Sequence, residues 1–149
     1  MIQRKQTLFL LASVLLFLST FGFPFGTLGS NVLHNYKVIA ADGSTVEGIT
    51  NYSFSIPLAI ASILSAVAIF LYQNRKRQMA AVRLSFIFYA VSFVLMSMYI
   101  SDAAKVLSTE SFSTGISFFL PFGAFFSNLF AVRAIRKDEQ LVNSLDRIR

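Results

Sequence analysis

Four long runs of the chain contain no charged side chain and no histidine, and this feature limits most strongly what the chain can fold into. Each run is close to the roughly 17–25 residues that cross a hydrocarbon core of about 30 Å. Because the core of a bilayer offers no water to backbone groups, such runs must be helical. The runs are Leu8–Phe25, Phe54–Tyr72, Leu84–Ile100 and Phe112–Val132.

The four runs account for most of the 149 residues, and only 13% of the residues are charged, against about 25% in soluble domains. We therefore predict an all-α membrane protein, a four-transmembrane-helix bundle forming one domain over residues 1–149. Its spans are predicted near residues 7–25, 54–72, 82–100 and 112–133, with an outer loop at 26–53 and a cytoplasmic tail at 134–149.

The positive charges predict the orientation. Eleven of the 13 Lys and Arg residues precede the first run, lie between the second and third, or follow the fourth. The other two connections contain only Lys37 and Lys105. The positive-inside rule then places both termini in the cytoplasm. The basic start resembles a secretory signal, but no A-x-A-like cleavage site follows, so an uncleaved first span is favoured and cleavage stays an alternative.

The outer loop carries a hairpin pattern. The β-prone runs YKVIA and TVEGI flank Asp42–Gly43, a pair suited to the positive φ angles of a tight turn. This predicts a short extracytoplasmic β-hairpin in which Ile39 faces Val46 and Lys37 lies near Glu47.

Polar side chains recur at one depth in the predicted spans. Counted inward from the basic residues at about 1.5 Å per residue, Ser13, Ser65, Tyr89 and Asn128 lie at similar heights. We predict a polar layer that ties the helices together through hydrogen bonds. A small-molecule site at the same depth is the alternative.

Small residues repeat every four positions in the fourth run, at Gly123, Ser127 and Ala131. This spacing lets two helix backbones approach closely. Packing within the chain and packing between copies explain it equally well, so a homo-oligomer stays open.

No pattern in the sequence points to catalysis. The chain has no cysteine, and its one histidine, His34, has only Asp42 and Glu47 as acids nearby in sequence. No metal-ligand cluster or phosphate-binding glycine loop is present. We therefore predict no enzyme activity, no catalytic residue, no metal and no cofactor. Nucleic acid is not an expected partner either, because the basic residues flank membrane runs.

Arg133, at the end of the fourth span, and Arg136 and Lys137, at the start of the C-terminal tail, act as a membrane stop. The later residues of the tail have the spacing of an amphipathic cytoplasmic helix, and Asp138 falls on the apolar face. We predict that a salt bridge from Asp138 to Arg77 or Arg83 locks the tail against the basic connection between the second and third spans, residues 73–83, called here the inner turn. The apolar face consists of Leu141, Val142, Leu145 and Ile148.

Three stretches carry a family resemblance: MIQRKQTLFLLAS, AIFLYQNRKRQ and FSNLFAVRAIRKDEQLVNSLDRIR. They resemble a four-span integral membrane protein family of Bacteroidetes that is designated a domain of unknown function, number four-two-nine-three. The resemblance implies a bacterial inner-membrane protein. It implies no activity, substrate or catalytic residue.

The leading functional hypothesis is a non-enzymatic inner-membrane interaction or assembly protein. Its basic loop and C-terminal helix would face the cytoplasm, where a protein partner or anionic lipid binds them. The alternative is a small transport or channel subunit that uses the polar layer at Tyr89 and Asn128.

Overall fold

The computed structural model describes residues 5–46, 53–109 and 111–146, with side chains described as far as Gln140. The described chain is mostly helical, with a small antiparallel sheet at one end. A short 3-10 turn, Leu71–Gln73, joins the second and third helices. The four helices are α1 Lys5–Ser19, α2 Ser55–Phe70, α3 Arg75–Val106 and α4 Ile116–Asp146.

Three helical segments within the described residues are long and apolar enough to cross a membrane: Ser55–Gln73, Arg75–Val106 and Ile116–Gln140. The apolar part of α1, Gln6–Ser19, is shorter. Large apolar side chains from all four helices lie on the outside of the bundle, which soluble monomers avoid on this scale. Examples are Leu15, Ile63, Ile87 and Phe126, all more than half exposed.

The first helix ends six residues earlier than the predicted span 7–25. Thr20, Phe21 and Gly22 each donate a backbone hydrogen bond to a carbonyl three residues back, which closes the helix with a tight turn. Pro24 follows and has no N–H with which to continue a helix. The remaining apolar residues, up to Phe25, therefore form the approach to the sheet.

The third helix is much longer than the predicted span 82–100. Asn74 is its N-cap, and the Asn74 side chain accepts a hydrogen bond from the backbone N–H of Arg77 at 3.2 Å. The basic stretch after Asn74, which the sequence placed in a loop, is therefore the first turns of α3. The predicted start of the span was too late because we took the charged residues as a loop, although Arg and Lys are good helix formers.

The fourth helix combines two predicted elements. It runs from Ile116 through the end of the predicted span at residue 133 and on to Asp146 without a break. The residues predicted to begin the span, Phe112–Thr114, form a strand instead. The tail therefore continues the axis of the apolar segment.

The sheet has four short antiparallel strands in the order β3-β2-β1-β4. Gly29 and Ser30 form a two-residue turn between β1 and β2, and Gly29 has a φ of 60°. Glycine at the first position of such a turn is typical of type II′. The sequence did not predict this hairpin. The strands are β1 Gly26–Leu28, β2 Asn31–Leu33, β3 Val38–Ile39 and β4 Phe112–Thr114.

The predicted hairpin turn is present, but its register is wrong by one residue. Ile39 bridges Thr45 rather than Val46, and Gly43 adopts the positive φ that the turn requires, 83°. The backbone N–H and the hydroxyl of Ser44 donate to the Asp42 carboxylate, which lowers the pKa of Asp42. The predicted partner of Lys37, Glu47, lies outside the described residues.

The helices pack in two different ways. Gly123 of α4 lies against Leu16 of α1, where an added Cβ would come within 3.3 Å of a Leu16 methyl. Between α3 and α4 the spacing is set by rings instead: Phe93 stacks on Phe122 at 4.5 Å. Within the chain, then, Gly123 serves the contact of α4 with α1.

Gly115 gives a direct test of this packing. Its N–H donates to the Phe25 carbonyl at 2.9 Å. A Cβ at Gly115 would overlap the Pro24 carbonyl oxygen and approach the Phe25 carbonyl carbon to 3.0 Å. We expect Gly115→Ala to lower the free energy of unfolding by about 1–3 kcal/mol, the usual cost of overpacking. Thermal unfolding in detergent measures this, with Gly22→Ala as the control.

At Gly22 the nearest atom to an added Cβ is 3.7 Å away, an ordinary contact. Equal melting temperatures for the two alanine variants would contradict the close approach at Gly115.

Candidate functional site

The predicted polar layer forms two hydrogen-bonded groups in the centre of the bundle. Ser13, Ser65, Tyr89 and Asn128 are all fully buried. In the first group the Ser13 hydroxyl and the Tyr89 hydroxyl lie 2.9 Å apart, and either can be the donor. This bond joins α1 to α3.

Asn128 is the centre of the second group. Its side-chain amide donates to the hydroxyl oxygens of Ser65, at 2.8 Å, and Ser85, at 3.0 Å. The Ser65 hydroxyl donates to the Ala61 carbonyl, and the Ser85 hydroxyl donates to the Val82 carbonyl. Each serine therefore accepts from Asn128 and donates within its own helix. One side chain of α4 holds both α2 and α3.

Ser85 is the member of this layer that the sequence reasoning missed. It lies two residues from Arg83, so counting from the basic rim placed it too close to the membrane surface. A helical signal was nevertheless present, because Ser85 is four residues from Tyr89 and shares its face of α3. That spacing also places the two hydrogen-bonded groups one helical turn apart.

Two buried acceptors among the described residues have no hydrogen-bond partner: Asn128 Oδ1 and Gln78 Oε1. The Gln78 amide donates to the Ala68 carbonyl at 2.9 Å, so its nitrogen is used and its oxygen is free. An unpaired buried acceptor costs about 1–3 kcal/mol. The polar layer thus keeps one open acceptor at its centre.

The salt bridge predicted between Asp138 and Arg77 or Arg83 is replaced by a hydrogen bond from a different arginine. In the described part of the chain the Asp138 carboxylate forms no ion pair with Arg77 or Arg83, and both arginines are exposed. Instead, the Arg75 guanidinium donates to the main-chain carbonyl of Asp138 at 2.6 Å. The first turn of α3 is therefore joined to α4 through the backbone of the tail.

The antiparallel register of α3 and α4 explains this choice. Asn128 is ten residues before Asp138, and its partner Ser85 is ten residues after Arg75. Arg77 is two residues beyond Arg75 and points to nearly the opposite side of the helix. Arg83 lies about 12 Å farther along the axis. Of the three, only Arg75 has both the height and the face of Asp138.

The predicted apolar face of the tail is less fully described. The backbone of α4 is helical through Asp146. The side chains of Leu141, Val142 and Leu145, and all of Ile148, lie outside the described residues.

A second buried polar network lies at the sheet end and was not predicted. The Thr20 carbonyl accepts hydrogen bonds from Asn35 Nδ2 at 3.0 Å and from the Ser117 hydroxyl at 2.8 Å. The Ser55 hydroxyl donates to the Asn35 carbonyl at 3.3 Å. Side chains here hold the main-chain carbonyls of Thr20, just after α1, and of Asn35 in the outer loop, and no sequence pattern identifies such acceptors. The network fastens the loop to α2 and α4.

The single histidine lies near this network without a catalytic arrangement in the described residues. Partial burial lowers the pKa of His34, and the positive charge of Lys37 lowers it further. Asp42 is engaged with Ser44, and Glu47 is not described. Within the described ranges no three His, Cys, Asp or Glu side chains are close enough together to hold a metal ion.

The hydrogen bonds of Asn128 can be tested by a mutant cycle. Asn128→Ala should lower the free energy of unfolding by about 1 kcal/mol, since interhelical hydrogen bonds in membrane proteins contribute roughly 0.6 kcal/mol each. In a background that already carries Ser65→Ala and Ser85→Ala, the same change should cost less. Ser127→Ala, next to Asn128 on α4, is the control. If Asn128→Ala lowered the free energy of unfolding equally in both backgrounds, hydrogen bonding between Asn128 and the two serines would be contradicted.

The Arg75 contact predicts a local change in the tail. Arg75→Gln removes a charged donor from the Asp138 carbonyl, and such bonds are worth about 1.5 kcal/mol or more. An energy of about 1.4 kcal/mol corresponds to a tenfold change in an equilibrium, and the partial exposure of Arg75 reduces the effect. We therefore expect the rate of amide hydrogen exchange around residues 138–146 to increase about threefold to tenfold. Arg77→Gln is the matched control and should leave exchange unchanged. If both variants increased hydrogen exchange equally, the increase would result from the loss of charge and not from the hydrogen bond to Asp138.

Comparison with known families gives one match. The family model for the domain of unknown function DUF4293 matches residues 2–148. No curated protein matches the chain. The match extends over both ends and the inner turn, where the sequence resemblance was found. The chain belongs to the DUF4293 family.

Proposed function

We propose that this chain is a non-enzymatic, multi-pass protein of the bacterial inner membrane that presents its inner end and C-terminal helix to a cytoplasmic protein partner. The observation that carries the proposal is the continuity of α4 from Ile116 to Asp146. An unbroken helix joins the apolar segment rigidly to the charged tail. A partner that binds the tail is therefore held at a defined angle to the membrane.

The proposed topology has four spans with both termini inside. The support is the apolar surface of all four helices together with the basic residues at one end of the bundle. The 15 residues of α1 extend about 22 Å, less than the usual hydrocarbon thickness. Exposed Phe21 and Phe23 continue the apolar surface past the helix end, and local thinning of the bilayer accommodates the remaining difference.

The inner end offers the surface for the partner. Lys76 and Arg77 on α3, and Gln140 on α4, are exposed there. The Arg75 contact with Asp138 holds this part of α3 against the tail. The inner turn and the tail thus form one surface rather than two independent segments.

A transport or channel subunit is the second candidate, favoured by the unpaired Asn128 Oδ1 alone. Against it, the polar layer is fully buried and its donors are used within the protein. Asn128→Cys separates the two candidates, because a pathway requires the thiol to react with a small water-borne methanethiosulfonate. A closed core leaves it unreacted in native membranes.

The proposed orientation can be measured by single-cysteine labelling, since the natural chain has no cysteine. In intact spheroplasts a membrane-impermeant maleimide should label Ser44→Cys in the outer turn. It should label Lys76→Cys only after permeabilisation. The reverse pattern would invert the topology and refute the proposal.

The partner itself can be sought by photo-crosslinking from Gln140 in native membranes, followed by mass spectrometry. We expect a reproducible protein partner that disappears when residues 141–149, which follow the crosslinker, are removed. A crosslinker at Phe126, which is exposed in the apolar part of the same helix, is the control and should capture lipid. Lipid alone at both positions, with no phenotype from the truncation, would reduce the tail to an anchor.

A further inference from the structure

We infer that one exposed face of α4 is a binding site for a phospholipid with an anionic headgroup. The inference rests on the proposed membrane location and names a second ligand for the inner end. The face, called here the α4 lipid face, has an apolar part and a basic part. It consists of Phe119, Phe126 and Phe130, followed by Arg133 and Lys137, with Arg136 at its edge.

The residues of the α4 lipid face are aligned by helix geometry. From Phe126 to Phe130 is four residues, from Phe130 to Arg133 three, and from Arg133 to Lys137 four, so these side chains share one side of α4. All of them are exposed. The chemistry changes from aromatic to cationic over about 4.5 Å of helix, between Phe130 and Arg133. A boundary between acyl chains and headgroups has this form.

Arg133 is directed toward that boundary. Its guanidinium carbon lies 5.8 Å from the centre of the Phe130 ring. Phe130 in turn packs on Phe9 of α1, with ring centres 5.6 Å apart. A cation above an aromatic ring is attracted to it. The guanidinium is therefore held beside the apolar surface rather than extended into the cytoplasm.

The three cations have no acidic partner within the described residues, where the one ion pair joins Lys105 to Asp102 at the far end of α3. The next two acids on α4, Asp138 and Glu139, are partly buried. Guanidinium groups bind phosphate through paired, charge-assisted hydrogen bonds. The α4 lipid face thus has unpaired positive charge where a lipid phosphate would lie.

The apolar part decides between lipid and other anions. A lipid lays its acyl chains along Phe119, Phe126 and Phe130 while its phosphate meets Arg133 and Lys137. A soluble acidic protein reaches only the cations. Free phosphate gains nothing from the aromatic row. An anionic phospholipid is the one ligand that uses the whole face.

The experiment compares two variants with the same loss of charge. The full chain is purified in detergent with phosphatidylglycerol and phosphatidylcholine in equal amounts, and native mass spectrometry counts the retained lipids. The native protein should retain phosphatidylglycerol preferentially. Arg133→Gln with Lys137→Gln should reduce that preference about tenfold or more, as expected for two cations near an anionic surface. Lys76→Gln with Arg77→Gln should leave most of it.

Other outcomes overturn the inference. Equal losses in the two double variants would show attraction by charge alone, and inorganic phosphate that displaces the lipid would show a plain anion site. Phe126→Ala keeps the charge and should also weaken retention; an unchanged value, with folding verified by its melting temperature, would remove the acyl contact. Inverted labelling of Ser44→Cys and Lys76→Cys would refute the proposed orientation without affecting lipid selectivity in detergent.

Discussion

The hydrogen bonds from Asn128 to Ser65 and Ser85 are the constraint on which the rest of the bundle depends. In hydrocarbon a polar side chain finds its partners within the protein or pays the cost of having none. The amide nitrogen of Asn128 meets this requirement with one serine on each of two neighbouring helices, while Oδ1 has no partner. The three helices can slide or rotate against one another only by breaking these bonds, so a single amide fixes their relative height.

The height fixed at Asn128 determines the contacts at the inner end. Because α3 and α4 run antiparallel, a hydrogen bond between Asn128 and Ser85 aligns Arg75 with Asp138, ten residues away along each helix. The donor to the tail is therefore chosen by register in the core. A charge pattern alone could not choose among three arginines in the same basic stretch.

Features that depend on one segment of the chain were predictable from the sequence, and features that depend on contacts between segments were not. Helix number and the shared level of Ser13, Ser65, Tyr89 and Asn128 within the bundle follow from rules that act along one segment, namely charge-free length and rise per residue. The early end of α1 after Ser19 and the β1–β2 hairpin depend on contacts between distant segments. Asn35, Ser55 and Ser117 bond main-chain carbonyls or loop atoms whose positions exist only in the folded chain. The predicted register of the Asp42–Gly43 hairpin was wrong for the same reason. Its first strand, β3, also pairs with the strand Asn31–Leu33, which the sequence did not predict.

The continuity of α4 connects the core to the surface proposed for binding. Asn128 lies on the buried face of α4 and Arg133 on its exposed face. Any rotation of α4 that repacks Asn128 therefore also turns Arg133. The two positions are five residues apart, so they lie on different sides of the same rigid rod. Orientation of the cations is thereby set by the polar layer, although the two share no contact. The buried amide is thus a positioning residue for the inner end, because its two hydrogen bonds set the direction in which α4 turns its aromatic and cationic residues relative to α2 and α3.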